Sequence, residues 1–282
     1  MAVKRGIVSS YYRVERFLFD LMVSHKSKIL NNSFNDLIID GDKVIENIEW
    51  KDEKYLVGQL SKTKFEKLRK ELRRASDGIW QHEKDWHWDD EKKQFVSCTP
   101  LLGEYIPEEK KVVLYENNIN DAHGGDKDLY SCVVLYTYIH EMFHAAHHEA
   151  AYTDGRLYDT IREIEEAITE FSTLVFLKEM TSDSPKADSS KWEETFNWAL
   201  KTIKEKQWCL GSLPAYGFGY YLYDKLSEDE SISWIKTYNQ KVGVIDKKNR
   251  YVKWYQQMLN PVYPHRNEKL CMELLHSILF NI

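Results

Sequence analysis

Apolar residues recur at spacings of three and four over residues 8–25 and 61–80, the pattern of helices with one buried face. Between them lies a mixed segment with Gly41 and short β-branched runs such as Leu37-Ile38-Ile39. Residues 82–92 are dense in charge and Trp and read as a loop. Phe95-Val96-Ser97-Cys98 then leads through Pro100 and Gly103 to Val112-Val113-Leu114-Tyr115, a hairpin-like region. Its second run is short, β-branched and aromatic. It is a predicted strand, closed by the turn signal Glu116-Asn117-Asn118.

Helical periodicity dominates the rest. After a loop at His123-Gly124-Gly125-Asp126, one helix spans about 129–149 and a second runs from near Asp159 to about Met180. Thr181-Ser182-Asp183-Ser184-Pro185 is the clearest break, and residues 190–281 read as wholly helical, punctuated by Pro214 and the Pro261/Pro264 pair. This order predicts an α+β fold: a mixed lobe over 1–180, then an all-α lobe over 181–282 that completes a cleft.

Composition narrows the function classes. The 282 residues are 43% apolar and 13% aromatic, enough for a sizeable core, and the net charge is −6 with a pI near 6.0. No broad basic footprint exists, so nucleic acid is not an expected partner. The basic run Lys67 to Arg74 is interleaved with Leu at helical spacing and reads as a solvated helix face. The 4 cysteines form no CxxC pair, which argues against a disulfide framework or a Cys-based metal site. No signal peptide and no membrane-spanning run is read, so the expected location is the cytoplasm.

Candidate chemistry sits at Cys132 to Ala146, where Glu141 is the one formal charge in an otherwise apolar helix. A helix apolar on all sides is a buried one. A buried carboxylate has to be paired, neutralised or placed beside a metal. His140 and His144 flank it at i and i+4, about 40° apart on one face, so both imidazoles can reach one ion at about 2.0–2.1 Å. Glu141 points about 100° aside, where it can act on water without readily binding the metal. This is the mechanical logic of HExxH: two ligands and one general base on two turns.

A third ligand has to come from elsewhere. The position six residues after His144 is Ala150, and no His occurs between His148 and His265, which leaves the acids of Ile164-Glu165-Glu166-Ala167-Ile168-Thr169-Glu170-Phe171. On periodicity alone those acids lie opposite the stripe Ile161/Ile164/Ile168/Phe171/Val175, and a one-residue phase error exchanges Glu165 for Glu166.

With Glu166 22 positions after His144, the order of Glu166 to Phe171 resembles the gluzincin group of metallopeptidases, which includes thermolysin and the zinc aminopeptidases. The resemblance covers about 112–180. It implies a zincin-like catalytic core of a small sheet plus active-site helices, with a Zn2+ cofactor. It implies that Glu166 is the third ligand and that Glu170 orients a metal-bound imidazole. It further implies an edge strand that holds the substrate backbone, a part that Val112 to Tyr115 is placed to take. The segment Tyr216-Gly217-Phe218-Gly219 looks like the Tyr-x-x-Gly helix of the aminopeptidase branch, making Tyr216 the candidate for oxyanion stabilisation, with Tyr220 next. His147 and His148 are read as exposed residues toward the helix end.

The expected function is a zinc metallopeptidase acting on a peptide or protein substrate. The alternative is a zincin-like binding or regulatory protein without turnover.

Overall fold

A computed structural model describes residues 48–75, 86–109, 111–122, 127–153, 160–183, 186–206, 213–259 and 267–280. The expected helix at 8–25, the Leu37–Ile39 run, the 123–126 loop and the Pro261/Pro264 pair lie outside these.

The first sheet has the order β1 (Ile48–Lys51), β6 (Lys111–Tyr115), β5 (Gly103–Ile106). Strand β1 runs parallel to β6, and β5 pairs antiparallel with it, Gly103 opposite Leu114 and Tyr105 opposite Val112. The second sheet is antiparallel, in the order β2 (Tyr55–Leu60), β4 (Gln94–Pro100), β3 (Trp86–Asp89). Helix α1 (Lys62–Ala75) closes this sheet with a small core of its own, in which Phe65 and Leu68 meet Trp86 and Phe95. The Phe65 and Phe95 rings stack at 3.8 Å.

Three readings change here. Residues 86–89 are a strand rather than a loop, because Trp86 is buried against α1 while the charged residues between Asp89 and Lys93 form the turn into β4. The Asp89 carboxylate accepts from the Glu91 and Lys92 amides, and Lys93 takes a positive φ of 53°, which shapes that turn. The runs Phe95–Cys98 and Val112–Tyr115 belong to different sheets, and the hairpin partner of β6 is β5, which Gly103 opens. Finally, Glu116-Asn117-Asn118 starts helix α2 (Glu116–Ala122) instead of ending in a turn. Asn118 is buried, and its amide donates to the carbonyls of Lys54 at 2.6 Å and Leu101 at 2.8 Å. The side-chain amide that signals a turn locally here donates to distant backbone.

Most of the described chain is helical. One continuous apolar core extends from Val112 to Leu279. At its centre lie α3 (Lys127–Thr153) and α4 (Arg162–Asp183), flanked by α5 (Lys186–Lys206), α6 (Leu213–Lys225) and α7 (Glu228–Lys241). Helices α8 (Arg250–Leu259) and α9 (Glu268–Phe280) complete it. Every residue from Cys132 to Phe143 is buried, as is every residue from Ala167 to Leu177. The two central helices therefore have no solvated face along these stretches, which explains the weak amphipathic signal of their sequences. Among the described residues no helix is long and apolar enough to cross a membrane.

Candidate metal centre

His140 and His144 stand one turn apart on α3 and face α4. Their Nε2 atoms both approach the same oxygen, Glu166 Oε2, each at 3.6 Å. The three ligand-type atoms lie within 4.8 Å of one another. A tetrahedral ion with ligands at about 2.0–2.2 Å separates its ligand atoms by roughly 3.4 Å, so these distances suit one shared ion. Both ring nitrogens of His140, Glu166 Oε2 and Glu170 Oε1 are buried without completing a hydrogen bond, and of these His140 Nε2 and Glu166 Oε2 face each other. Buried polar atoms are nearly always satisfied, so atoms left orphaned and converging on one point mark a place for a cation. His140, His144 and Glu166 thus form a group able to hold a metal ion.

The other nitrogen of each ring meets a different carboxylate. His140 Nδ1 lies 3.3 Å from Glu170 Oε2, and His144 Nδ1 lies 2.9 Å from Glu165 Oε1. A carboxylate beside Nδ1 favours the proton on that nitrogen and leaves the lone pair of Nε2 available to a cation. Glu165, the rival for third ligand, meets the Nδ1 side of the His144 ring, and its second oxygen accepts from Thr160. Glu170, to which the resemblance gives the imidazole-orienting role, lies beside His140 Nδ1 in a fully buried position and not on a solvated face. The other oxygen of Glu166, Oε1, lies 3.7 Å from Arg162 Nε at the open end of the site.

Four glutamates around two imidazoles create a demand for positive charge. Burial disfavours imidazolium at His140, but the carboxylates of Glu166 and Glu170 outweigh it and hold the pKa at about 9. His144 is likewise opposed by burial yet raised well above its usual value by Glu165 and Glu166. Burial pushes the Glu166 carboxyl up, and His140 and His144 more than reverse this, holding it far below the ordinary carboxylate range. Protons or a metal dication can meet that demand.

Glu141 lies to one side of the triad and is buried. Burial raises its pKa, against the pull of His144 and His140. The Tyr105 backbone of β5 also hydrogen-bonds this carboxylate. Strand β5 can come this close because its first residue is glycine. A Cβ at Gly103 would stand 2.8 Å from Thr137 Cγ2 and 3.1 Å from Glu141 Cγ. The edge strand beside the motif helix is therefore β5. Strand β6, which the sequence placed in that role, is the central strand with a partner on each side.

Tyr216 reaches the site from α6, its ring 5.2 Å from that of His140 in an edge-on arrangement. Burial raises its phenol well above the ordinary value, reinforced by the charges of Glu166, Glu141 and Glu170. The glycine three residues later sets this placement. A Cβ at Gly219 would lie 2.7 Å from the Ala167 carbonyl oxygen and 2.9 Å from Glu170 Cβ. Helix α6 is thus packed on α4 backbone to backbone. Tyr220 is half-buried against the core, one turn further along α6.

His147 is fully buried, contrary to expectation, with Nδ1 2.6 Å from Asn239 Oδ1 of α7 and its ring edge-on to Tyr238 at 4.9 Å. His148 sits nearer the surface, its Nδ1 3.4 Å from the Tyr105 hydroxyl. Tyr136 went unremarked in the sequence, yet its hydroxyl donates to Glu170 Oε2 at 2.5 Å. The available signal was its position four residues before His140 on the same helical face. No protein-family model, curated protein or solved structure matches the chain.

Proposed function

We propose that this protein is a zinc-dependent metallopeptidase of gluzincin type, hydrolysing peptide bonds in a peptide or protein substrate. The observation that carries the reading is the convergence of His140 Nε2, His144 Nε2 and Glu166 Oε2, with the buried carboxylate of Glu141 beside it. The mixed His/carboxylate donor set suits zinc, with three protein ligands leaving a position open as catalytic sites do. The small sheet packed on α3 and the Glu-bearing helix α4 fit a zincin-like core.

Zinc held there supplies Lewis acidity and lowers the pKa of water at the site toward neutrality. Glu141 takes the proton from the attacking water as its oxygen bonds to the scissile carbonyl carbon. It then delivers that proton to the departing amine nitrogen as the C–N bond breaks. Its raised pKa brings proton acceptance and donation closer to balance near neutral pH. The Tyr216 hydroxyl, kept protonated by burial and the surrounding acids, donates to the oxyanion. Glu170 and Glu165 keep the Nδ1 protons of His140 and His144 in place. The β5 edge offers backbone groups to an extended substrate segment next to Glu141.

The test is Glu141→Gln, assayed on an unstructured protein with metal content measured in parallel. Retained metal with turnover reduced by at least about 10²-fold supports the assignment. Unchanged turnover defeats it. A metal-loaded wild type that cleaves no peptide library points instead to a binding or regulatory protein on the same scaffold.

A further inference from the structure

The conformation of the metal-binding imidazole at His140 has a second anchor beyond Glu170. Tyr136 and His140 are four residues apart on α3, so both project toward the same part of α4. The Tyr136 hydroxyl donates to Glu170 Oε2 at 2.5 Å, and that same oxygen lies 3.3 Å from His140 Nδ1. Glu170 is wholly buried, Tyr136 and His140 nearly so. A carboxylate there has no water to hold it and depends on protein donors for its orientation. The Tyr136 ring is in turn fixed edge-on to Trp198 of α5, with centroids 5.3 Å apart. On its other side Glu170 is bounded by Gly219 of α6.

We infer that Tyr136 is a positioning residue for the metal: by gripping Glu170 it fixes the orientation and tautomer of His140, and so sets the affinity of the site. This rests on the metal-centre reading above. The geometry assigns Tyr136 a role through Glu170 alone, since its hydroxyl faces none of the three ligand atoms in a hydrogen bond. Groups holding a metal's imidazole ligand contribute about 10–100-fold to affinity, and one step further out about tenfold is expected.

The experiment is a zinc titration against a chromophoric chelator, on the full chain, for the wild type, Tyr136→Phe, Glu170→Ala and the double variant. Tyr255→Phe serves as a control, because it also removes a buried phenol hydrogen bond to α4, made to the Glu163 backbone carbonyl and not to Glu170. Cobalt-substituted protein gives a visible spectrum that reports ligand geometry independently of turnover.

The inference expects Tyr136→Phe to weaken zinc about tenfold and shift the cobalt bands. Adding it to Glu170→Ala should cost nothing more, and Tyr255→Phe should bind zinc as the wild type does. Wild-type affinity in a folded Tyr136→Phe would overturn the role of Tyr136 and leave the metal centre standing. Equal losses in Tyr136→Phe and Tyr255→Phe, or full additivity with Glu170→Ala, would also overturn it by showing a merely structural contribution. Failure of the wild type to bind zinc or cobalt at all would overturn the metal-centre reading itself, and this inference with it.

Discussion

His144 presents its Nδ1 to Glu165 at 2.9 Å and its Nε2 to Glu166 at 3.6 Å, so two adjacent glutamates serve opposite sides of one ring. The pair divides the labour that either residue alone might have claimed. Glu166 faces the ring nitrogens of His140 and His144 that converge between the two helices, and Glu165 faces the opposite edge of the His144 ring.

This division predicts different outcomes for two neighbouring substitutions. Glu165→Gln keeps a hydrogen-bonding group near His144 and should retain one metal per chain, bound about 10-fold more weakly. Glu166→Gln removes a charged ligand and should lose stoichiometric metal. Equilibrium dialysis of both variants checks this, and the reverse ranking would make Glu165 the ligand.

Tyr216 should act on turnover more than on binding. Replacing it by Phe keeps the ring against His140 but removes the donor. The expected result is a kcat lowered by about 10²-fold with KM changed by less than about threefold. A raised KM at constant kcat would mean that Tyr216 holds substrate without favouring the transition state.

The glycine at 219 is predicted to be intolerant of even one methyl group. The obstacles to a Cβ include backbone atoms, the Ala167 oxygen at 2.7 Å and the Phe171 nitrogen at 3.0 Å, which cannot rotate away. Gly219→Ala should force α6 from α4, lowering stability by about 1–3 kcal/mol and displacing Tyr216. Thermal unfolding and kcat should fall together. A variant as stable and active as the wild type would show that the helices have room to spare.

His147 offers a prediction in pH. Burial depresses its pKa to about 4, with the contact to Asn239 opposing the shift. An unfolded histidine titrates near 6.5, so between these values the unfolded chain binds more protons and stability rises with pH. The contribution is complete above about 6.5 and is lost as pH falls through about 4, amounting to about 3 kcal/mol over the window. Urea unfolding of metal-free His147→Gln between pH 4.5 and 7 should lack this slope relative to wild type. Parallel curves would mean that His147 is not held neutral by the fold.

The motif and its partners were legible because chemistry and periodicity coincide there. His140, Glu141 and His144 declare themselves by spacing, and an acid inside an apolar helix has few explanations. The α3, α4 and β6 elements were also visible as apolar runs. The fate of Glu165 was not, since one residue is 100° on a helix and the phase of α4 is fixed only by packing on α3. Strand β5 was hidden for a similar reason. Gly103-Glu104-Tyr105-Ile106 is short and opens on two residues that disfavour strands, and what places it is pairing with β6 and the absence of a Cβ where it crosses Thr137 and Glu141. Trp86 and His147 were misread by local polarity, and each is buried by a partner far away in sequence: α1 and Asn239 respectively.

The most direct test of the central claim is metal content by mass spectrometry of the purified chain, after zinc reconstitution and removal of excess, for wild type, His144→Ala and Glu166→Ala. The account predicts one zinc per wild-type chain, lost in both variants. A wild type without stoichiometric metal, or zinc kept equally in all three proteins, would contradict it.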